Sequence, residues 1–338
     1  MSSSHLTLLI PHLLWPEPQD IDAFDDLAAP GMATLLARAR LERQPQKTWE
    51  EALLDCLTPQ GSLAMLRRQG EADGPCKLDG HWLCADPVHL KFHHERVVLA
   101  DTSAFALSEA ESTALIDALN REFADIGLFQ APHPQRWYLH LETALAYSAQ
   151  PLSAAAGRTL ELPESGDASQ VKRWLNEIQM FLHAHPVNQA REAQGLPMVN
   201  SLWLWGNHQA PATSSGEFSG IWSDQPLAIG LGRVSGVPQH PAAIDLGNVL
   251  AHAAPDSRHL ILLDSLLTPA LYEDSAAWRD ALLQLEEHWF APLLRQPQAL
   301  SLIAPTRYGC LHWHFQPRDR YKFWRRPQSL AALARSLA

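Results

Sequence analysis

Histidines at alternate positions are the first groups in this sequence whose spacing could support chemistry. His183 and His185 form one His-x-His pair, and His312 and His314 form another. On a strand, residues i and i+2 project from the same face, so either pair could hold a metal ion. Neither pair has a carboxylate within reach in the sequence to complete such a site. Metal binding is therefore the less favoured interpretation of both pairs.

The segment HPVNQAREAQGLPMVNSLWLWGNH, residues 185–208, places polar groups beside an apolar strand. Four of them could line a ligand-binding cleft: His185, Asn188, Arg191 and Asn200. The alternative is that Arg191 and Asn200 only satisfy backbone groups around the turn. Trp203 and Trp205 alternate with leucines and so share one face of the strand. Core packing is the favoured role of that face, and a stacking surface for a planar ligand is the second.

The C-terminal part of the chain is locally basic. It carries Arg307, Arg318, Arg320, Lys322, Arg325 and Arg326. Such a group could attract a phosphate or a carboxylate. It could equally be a solvated surface that balances nearby acids. A glycine-rich run at 230–236, GLGRVSG, lacks the Gly-Lys-Ser/Thr of a phosphate loop, so a turn is the better interpretation there.

Composition excludes several classes of function. The 338 residues include 26 Lys and Arg against 37 Asp and Glu, a net charge of −11, which argues against a nucleic-acid or anionic-membrane surface. No run approaches the roughly 20 apolar residues of a membrane span. The four cysteines form no Cys-x-x-Cys pair and are typical of reduced thiols in a cytoplasmic protein.

The elements that must position these groups alternate between strands and helices. Apolar runs predict strands at 5–10, 81–90, 95–100, 136–142, 201–205, 259–263 and 300–304. Apolar residues at helical spacing predict helices at 31–43, 49–57, from Ser108, at 171–183 and at 276–294. Ser108 and Glu111 form a capping box. Strands separated by helices predict an α/β fold with a mostly parallel sheet covered on both faces.

The block around residues 81–150 has a different organisation. Two neighbouring strands, a helix and a further strand follow one another within it, and a Pro/Gly/Ser/Ala-rich stretch follows at 150–169. We therefore expect a smaller inserted α+β subdomain at 81–150. Residues 1–80 then form the first part of the core, and 151–338 hold the linker, the remainder of the subdomain junction and the second part of the core.

Several motifs resemble one family. HPVNQAREAQGLPMVNSLWLWG (185–206) and the order of the 81–142 elements resemble archaeal-type cofactor-independent phosphoglycerate mutases of the alkaline-phosphatase superfamily. ADPVHL (85–90), LSEAE (107–111), RWYL (136–139) and NSLWLWG (200–206) look like the RpfE-type regulatory proteins, a bacterial branch of that superfamily. The resemblance covers most of the chain and implies an alkaline-phosphatase-like core with an inserted subdomain.

The resemblance also implies two divalent metals, such as manganese or zinc, and a serine nucleophile. After the first strand the family has Asp-Gly, whereas Pro11-His12-Leu13 follows here with no Asp. The family's Pro-Gly-Ser-Asp segment has no counterpart, and the corresponding region reads Lys47-Thr-Trp-Glu-Glu-Ala. After the strand at 259–263 the family has an Asp-x-x-x-His pair; Asp264 comes too early to match it, and no His follows nearby. Ala304-Pro305-Thr306-Arg307 replaces a later Asp-His ligand pair. His312 or His314 could match the family's last His.

These departures favour a phosphoglycerate-mutase-like protein without the metal-dependent transfer. We expect it to act by binding a small phosphate- or carboxylate-bearing ligand or a protein partner, plausibly in regulation. The alternative is an active mutase or phosphatase whose two metals use relocated ligands drawn from His12, Asp264, His312 and His314. A third possibility is a purely structural partner protein.

Overall fold

The structure, a computed structural model, describes residues 4–24, 26–57, 61–74, 78–93, 96–159, 163–207, 218–296 and 298–338. Its strands are β1 His5–Leu9, β2 Arg40–Gln44, β3 His81–His93, β4 Arg96–Ala100, β5 Leu128–His133, β6 Arg136–Leu141, β7 Ser201–Trp205, β8 Gly220–Trp222, β9 Gln239–His240, β10 Arg258–Leu262, β11 Ala299–Thr306 and β12 Gly309–Phe315.

Helices cover much of the remaining described chain. They are α1 Ile21–Phe24, α2 Pro30–Arg38, α3 Trp49–Asp55, α4 Leu63–Gly70, α5 Glu109–Glu122, α6 Leu152–Ala155, α7 Ala168–Ala184, α8 Pro186–Ala193, α9 Pro226–Val234, α10 Leu246–Leu250, α11 Leu267–Leu271, α12 Ser275–Leu285, α13 Ala291–Leu293 and α14 Leu330–Leu337. A π-helical turn spans Glu286–Phe290, and a 3₁₀ turn spans Pro317–Tyr321. None of the helices within the described residues is long and apolar enough to cross a membrane.

The chain divides into two compact units, Met1–Thr58 with Ala212–Ala338, and Pro59–Pro211. The first unit contains a seven-stranded sheet in the order β2-β12-β11-β1-β10-β8-β9. Strands β11, β1, β10, β8 and β9 pair in parallel, whereas β12 runs in the opposite direction and pairs antiparallel with both β11 and β2. The expected α/β fold with a mostly parallel sheet is confirmed.

One face of this sheet forms the main hydrophobic core of the first unit. Leu6 and Leu8 of β1 pack there with Trp313 of β12, and residues from α2, α12 and α14 cover them. Glu286 links the π-helical turn to α2, because its carboxylate accepts hydrogen bonds from the backbone N–H groups of Gly31 and Met32 at 2.7 and 2.8 Å. A buried carboxylate therefore caps the N-terminus of α2. A Cβ on Gly31 would lie 2.6 Å from a Glu286 oxygen, so that contact requires glycine.

Two sequence-based expectations for the first unit are wrong. The predicted helix at 31–43 ends at Arg38, because residues 40–44 pair as β2 with the edge of β12 instead. Non-local strand pairing here overrides local helical spacing. The glycine-rich run at 230–236 was expected to be a turn, but most of it lies in α9. Gly232 allows that helix to approach the sheet, since a Cβ there would lie 3.0 Å from the Ile221 side chain.

The second unit is built on an antiparallel sheet. Its order is β4-β3-β6-β5, and β7 also pairs with the long strand β3. The Ser108–Glu111 capping box at the start of α5 is present as expected. Ser201–Trp205 forms a fully buried strand, as the sequence predicts, and it pairs with residues 84–88 of β3.

Candidate functional site

The carboxyl ends of the parallel strands form the most promising edge of the first unit. In open α/β sheets, ligands bind where the chain leaves the carboxyl ends of the strands. Parallel register places the ends of β1, β10 and β11 at one edge. His12 follows β1, Asp264 follows β10 and Arg307 follows β11, so three of the sequence-predicted residues lie at strand ends of this edge.

The loop after β1 has an unusual backbone. His12 has φ of 54°, in the left-handed region that side chains with a Cβ disfavour. Its N–H donates to the Pro305 carbonyl at 2.9 Å, and its own carbonyl accepts from the Trp278 indole at 3.0 Å. The surrounding structure therefore holds His12 in a conformation that glycine would adopt with less strain.

Asp264 is engaged by an amide rather than by other acids or histidines. Its Oδ2 accepts a hydrogen bond from Gln225 Nε2 at 2.5 Å. Gln225 is held in turn, because its backbone N–H donates to Ser223 Oγ at 3.0 Å. A primary amide nitrogen is a donor without a lone pair for a cation. Gln225 therefore presents a hydrogen-bond donor, and not a metal-binding atom, to this oxygen of Asp264.

Arg307 forms an exposed ion pair with Glu17. The neighbouring Tyr308 is buried, and its hydroxyl donates to the Trp15 carbonyl at 2.8 Å. Burial raises the pKa of Tyr308 to about 12, so this phenol stays protonated. The Arg307 guanidinium is thus placed at the sheet edge but is already partly neutralised by Glu17.

His312 and His314 share one face of β12, as their spacing predicts. They face away from the main core, because the alternate residues Leu311, Trp313 and Phe315 pack into it. Burial lowers the pKa of His312, and His314 adds to the effect. The Cys310 thiol lies 3.4 Å from His312 Nε2. These two histidines therefore belong to a face of an antiparallel strand, whereas His12 and Asp264 belong to the loops after β1 and β10.

The other His-x-His pair does not lie on a strand. His183 is in the last turn of α7, and His185 separates α7 from α8. His185 Nδ1 accepts a hydrogen bond from the Val187 N–H at 3.2 Å and so caps α8. Burial lowers the pKa of His185, with a contribution from Arg121. The shared strand face expected for this pair is absent, since a helix boundary lies between the two residues.

Asn188 and Asn200 bind backbone groups in the second unit. Asn188 is fully buried. Its amide nitrogen donates to the Leu182 and Val199 carbonyls, and its Oδ1 accepts from the Val199 N–H. Asn200 accepts from the Leu90 N–H at 2.7 Å and donates to the Leu90 carbonyl at 2.9 Å. Through its side chain, Asn200 thus makes the two hydrogen bonds to Leu90 of β3 that a paired strand residue would make through its backbone.

Arg191 joins three parts of the second unit. It is 3 % exposed, and its guanidinium donates to the Pro197 and Ala106 carbonyls and to Glu111 Oε1 at 2.7–2.9 Å. Burial alone would raise the pKa of Glu111, but hydrogen bonds from Ser108 and Arg191 outweigh it and lower that pKa. Glu111 therefore has two roles, because it completes the capping box of α5 and also pairs with Arg191.

Trp205 belongs to a buried charged cluster that sequence reasoning missed. Its indole donates to Asp86 Oδ2 at 2.8 Å. Arg67 forms a two-pronged ion pair with the same carboxylate at 2.5 and 2.7 Å, and its guanidinium stacks 5.1 Å from the Tyr138 ring centroid. Burial opposes the charge of Arg67, but Asp86 outweighs it and the pKa of Arg67 is raised. Arg67 and Asp86 are 19 residues apart, so no local pattern reveals the pair.

Trp203 lines a small cavity on the same face of β7 as Trp205. The cavity has a volume of about 160 Å³, and Lys172, Asn176 and Gln179 of α7 supply its polar groups. The Trp203 indole donates to the Gln150 carbonyl at 2.9 Å. Both tryptophans are buried and hydrogen-bonded, which matches the packing role that the sequence favours.

The donor groups in the described residues do not fit a two-metal centre. No group of three or more His, Cys, Asp or Glu side chains among them is arranged to hold a metal ion. Asp264 has an amide partner, and the two β12 histidines project from a sheet face. A pair of divalent ions requires several such ligands that converge on two points.

Comparison with known proteins adds sequence relatives. No family model matches the chain. It is 31 % identical over 123 residues to 2,3-bisphosphoglycerate-independent phosphoglycerate mutase 2 of Methanothermobacter thermautotrophicus. The aligned segment covers 35 % of this chain and 30 % of the relative. It is 28 % identical over 152 residues to the probable mutase of Geobacter sulfurreducens, covering 42 % and 38 %. The match thus spans about a third of the length of these relatives.

Two solved structures resemble the whole chain. The PH0037 protein from Pyrococcus horikoshii has a TM-score of 0.53 at 13 % identity, over 95 % of this chain and 93 % of that one. The cofactor-independent phosphoglycerate mutase from Thermoplasma acidophilum has a TM-score of 0.40 at 15 % identity, over 93 % and 90 %. The relatives that match parts of this chain are named 2,3-bisphosphoglycerate-independent phosphoglycerate mutases, and its overall fold is similar to that of the PH0037 protein.

Proposed function

We propose that this chain is a phosphoglycerate-mutase-like protein that has lost metal-dependent phosphoryl transfer and acts by binding, as a regulatory protein. The observation that carries the proposal is the backbone of the loop after β1. Within the Pro11-His12-Leu13 segment that follows the first strand, we align the family's metal-binding Asp-Gly with Pro11-His12. His12 has φ of 54°, the left-handed conformation in which glycine is favoured. This agreement supports the alignment, and it puts Pro11 at the position of the ligand aspartate.

Proline cannot replace that aspartate. Its ring carries no lone pair that could bind a cation, and its backbone offers only the carbonyl. Pro11 is also buried. Loss of this ligand at the end of the central strand removes one side of the two-metal centre that the family's chemistry needs.

The environment of Asp264 supports the same proposal. In a metal site this carboxylate would give its lone pairs to a cation, but here Gln225 Nε2 donates to it at 2.5 Å. The segment Lys47–Ala52 stands where the family carries its serine nucleophile, and it contains no serine. Its first turn instead forms a capping box, in which Thr48 and Glu51 begin α3. Thr48 Oγ1 accepts the Glu51 N–H and serves the helix end.

A binding role has its own support. The motifs at 85–90, 107–111, 136–139 and 200–206 resemble the RpfE-type regulatory proteins. Glu111 lies in one of these motifs and forms an ion pair with Arg191, so this motif helps to hold the second unit together rather than to form a catalytic group. The ligand we propose is a small phosphate- or carboxylate-bearing molecule or a protein partner.

Interconversion of the phosphoglycerate isomers is the reaction to assay. The purified chain is supplied with manganese, and the probable mutase of Geobacter sulfurreducens serves as the positive control. We expect no turnover above the protein-free rate, with or without manganese. Manganese-dependent turnover that is abolished by Asp264→Asn or His312→Gln would instead establish an active enzyme with relocated ligands.

A further inference from the structure

An open cavity lies beside the C-terminal helix of the first unit. Its volume is about 380 Å³, within the range of small-molecule sites. Helix α2, the edge strand β2, β12 and α14 form its walls. The lining includes Leu36, Leu41, Trp313, Leu330 and Leu333, together with the small side chains of Ala33 and Ala37. The cavity is therefore apolar on the side where it meets the main core.

Two guanidinium groups stand at the solvent side of this cavity. Arg325 and Arg326 both line it and are exposed. Arg325 Nη1 donates to the Ala39 carbonyl at 3.1 Å, which fixes that side chain at the cavity rim. Within the described part of the chain, no carboxylate pairs with either arginine. Two unneutralised cations beside an apolar wall are notable in a chain of net charge −11.

This combination selects one chemical class of ligand. Gln328 and the two arginines supply the polar groups of the lining, and the rest of the wall is apolar. Such a wall gains by covering a hydrocarbon body, whereas the hydroxyl groups of a phosphosugar would lack partners along it. Guanidinium groups form strong charge-assisted hydrogen bonds with carboxylates. The complementary molecule has an apolar chain and an anionic head.

We propose that this cavity binds an amphiphilic carboxylate, with its chain against Leu41 and Leu333 and its head at Arg325 and Arg326. At roughly 30 Å³ for each water-sized group, the cavity holds about twelve non-hydrogen atoms, which matches a ten-carbon chain with its two carboxylate oxygens. The inference rests on the proposed binding function. It is independent of the metal ligands, since no lining residue lies at the carboxyl edge of the sheet.

Calorimetric titration with decanoate below its micelle concentration tests the inference. Decanol provides the same chain without charge, and inorganic phosphate provides an anion without a chain. Three variants are compared: Arg326→Gln removes one rim cation, Ala37→Phe fills the cavity, and Arg318→Gln is the control. Arg318 is an exposed arginine of the same basic segment that does not line the cavity. Circular dichroism checks that each variant is folded.

We expect one decanoate to bind per chain, and phosphate not to bind. Arg326→Gln should weaken decanoate binding about tenfold and leave decanol binding unchanged. Ala37→Phe should abolish the binding of both molecules, and Arg318→Gln should leave both unchanged. If Ala37→Phe does not fold, the comparison of Arg326→Gln with Arg318→Gln still tests the inference.

Absence of saturable decanoate binding would overturn the inference, as would equal losses in the Arg326 and Arg318 variants. Equal binding of decanoate and phosphate would also overturn it. If the chain binds no decanoate and also shows no manganese-dependent mutase turnover, the cavity proposal fails but the proposed loss of catalysis stands. The two failures are therefore distinguishable.

Discussion

Asn188 provides a sharp test of how the second unit is held together. Its side chain makes three hydrogen bonds, to the Leu182 carbonyl and to both the carbonyl and the N–H of Val199, at 2.7–2.9 Å. These bonds tie the end of α7 and the start of β7 to α8. Asn188→Ala leaves the N–H and the carbonyl of Val199 without these partners, whereas the Leu182 carbonyl still accepts from the His185 N–H at 3.1 Å.

The expected destabilisation follows from these bonds. At about 1 kcal/mol for each buried group left unsatisfied, the free energy of unfolding falls by about 2 kcal/mol. With a urea m value of about 3 kcal/mol/M, the unfolding midpoint falls by about 0.7 M. Asn188→Asp keeps the acceptor but removes both donors and buries a charge, so it should be at least as destabilising.

Urea unfolding followed by circular dichroism and tryptophan fluorescence measures both variants. Asn176→Ala is the matched control, because Asn176 is exposed on α7, and its midpoint should stay within about 0.2 M of the wild type. An unchanged midpoint for Asn188→Ala would refute the reasoning. It would mean that Asn188 does not hold the backbone, and it would return Asn188 to the group of candidate ligand-binding residues.

Three further predictions concern stability and are checked by the same urea titrations. Asp86→Ala leaves the buried Arg67 unpaired and should lower the free energy of unfolding by about 3–5 kcal/mol, whereas Arg307→Ala, which breaks an exposed ion pair, should lower it by about 1 kcal/mol or less. A similar loss in both variants would contradict this contrast. His12→Gly relieves the left-handed strain at φ 54° and should raise the free energy of unfolding by about 0.5–1 kcal/mol; a decrease would argue against strain. Burial, with a nearby histidine, lowers the pKa of His259 below its ordinary 6.5, so the unfolded chain binds its proton first as the pH falls. The contribution of His259 to stability is therefore complete above pH 6.5 and lost at lower pH, and His259→Gln should flatten the decline in midpoint between about pH 7 and pH 5. An identical decline in the variant would exclude His259 as a source.

Local signals in the sequence predicted several elements correctly. Ser108 and Glu111 form their capping box because all of its groups lie within one helical turn. The apolar run of β1 is buried on both faces, as its composition indicates. These features depend on neighbours in the chain, so periodicity and capping rules apply to them directly.

Elements that depend on distant partners were not predictable in the same way. The helix predicted at 31–43 ends at Arg38, because β12, more than 250 residues later, pairs with residues 40–44. Strand β12 itself carried a signal, since apolar residues alternate with His312 and His314 in GCLHWHF. That alternation was interpreted as a pair of possible ligands rather than as a strand with one buried face.

The candidate site shows the same limit. Sequence alone identified Asn188 and Arg191 as unusual polar residues but could not show what they contact. In the structure their partners are backbone groups and Glu111, which lie up to 85 residues away. The cavity beside α14 was missed because Leu36, Trp313 and Leu333 come from three separate parts of the chain. The basic character of its rim was visible in the sequence.

Metal retention tests the central claim most directly. The chain and the Geobacter sulfurreducens relative are expressed and purified in parallel with manganese and zinc supplied, and their metal content is measured by elemental mass spectrometry. Because we propose that Pro11 replaces a ligand aspartate, and because Gln225 donates a hydrogen bond to Asp264, we predict far less than one retained ion per chain. Retention of about two ions per chain, as two-metal phosphoryl transfer requires, would contradict the account.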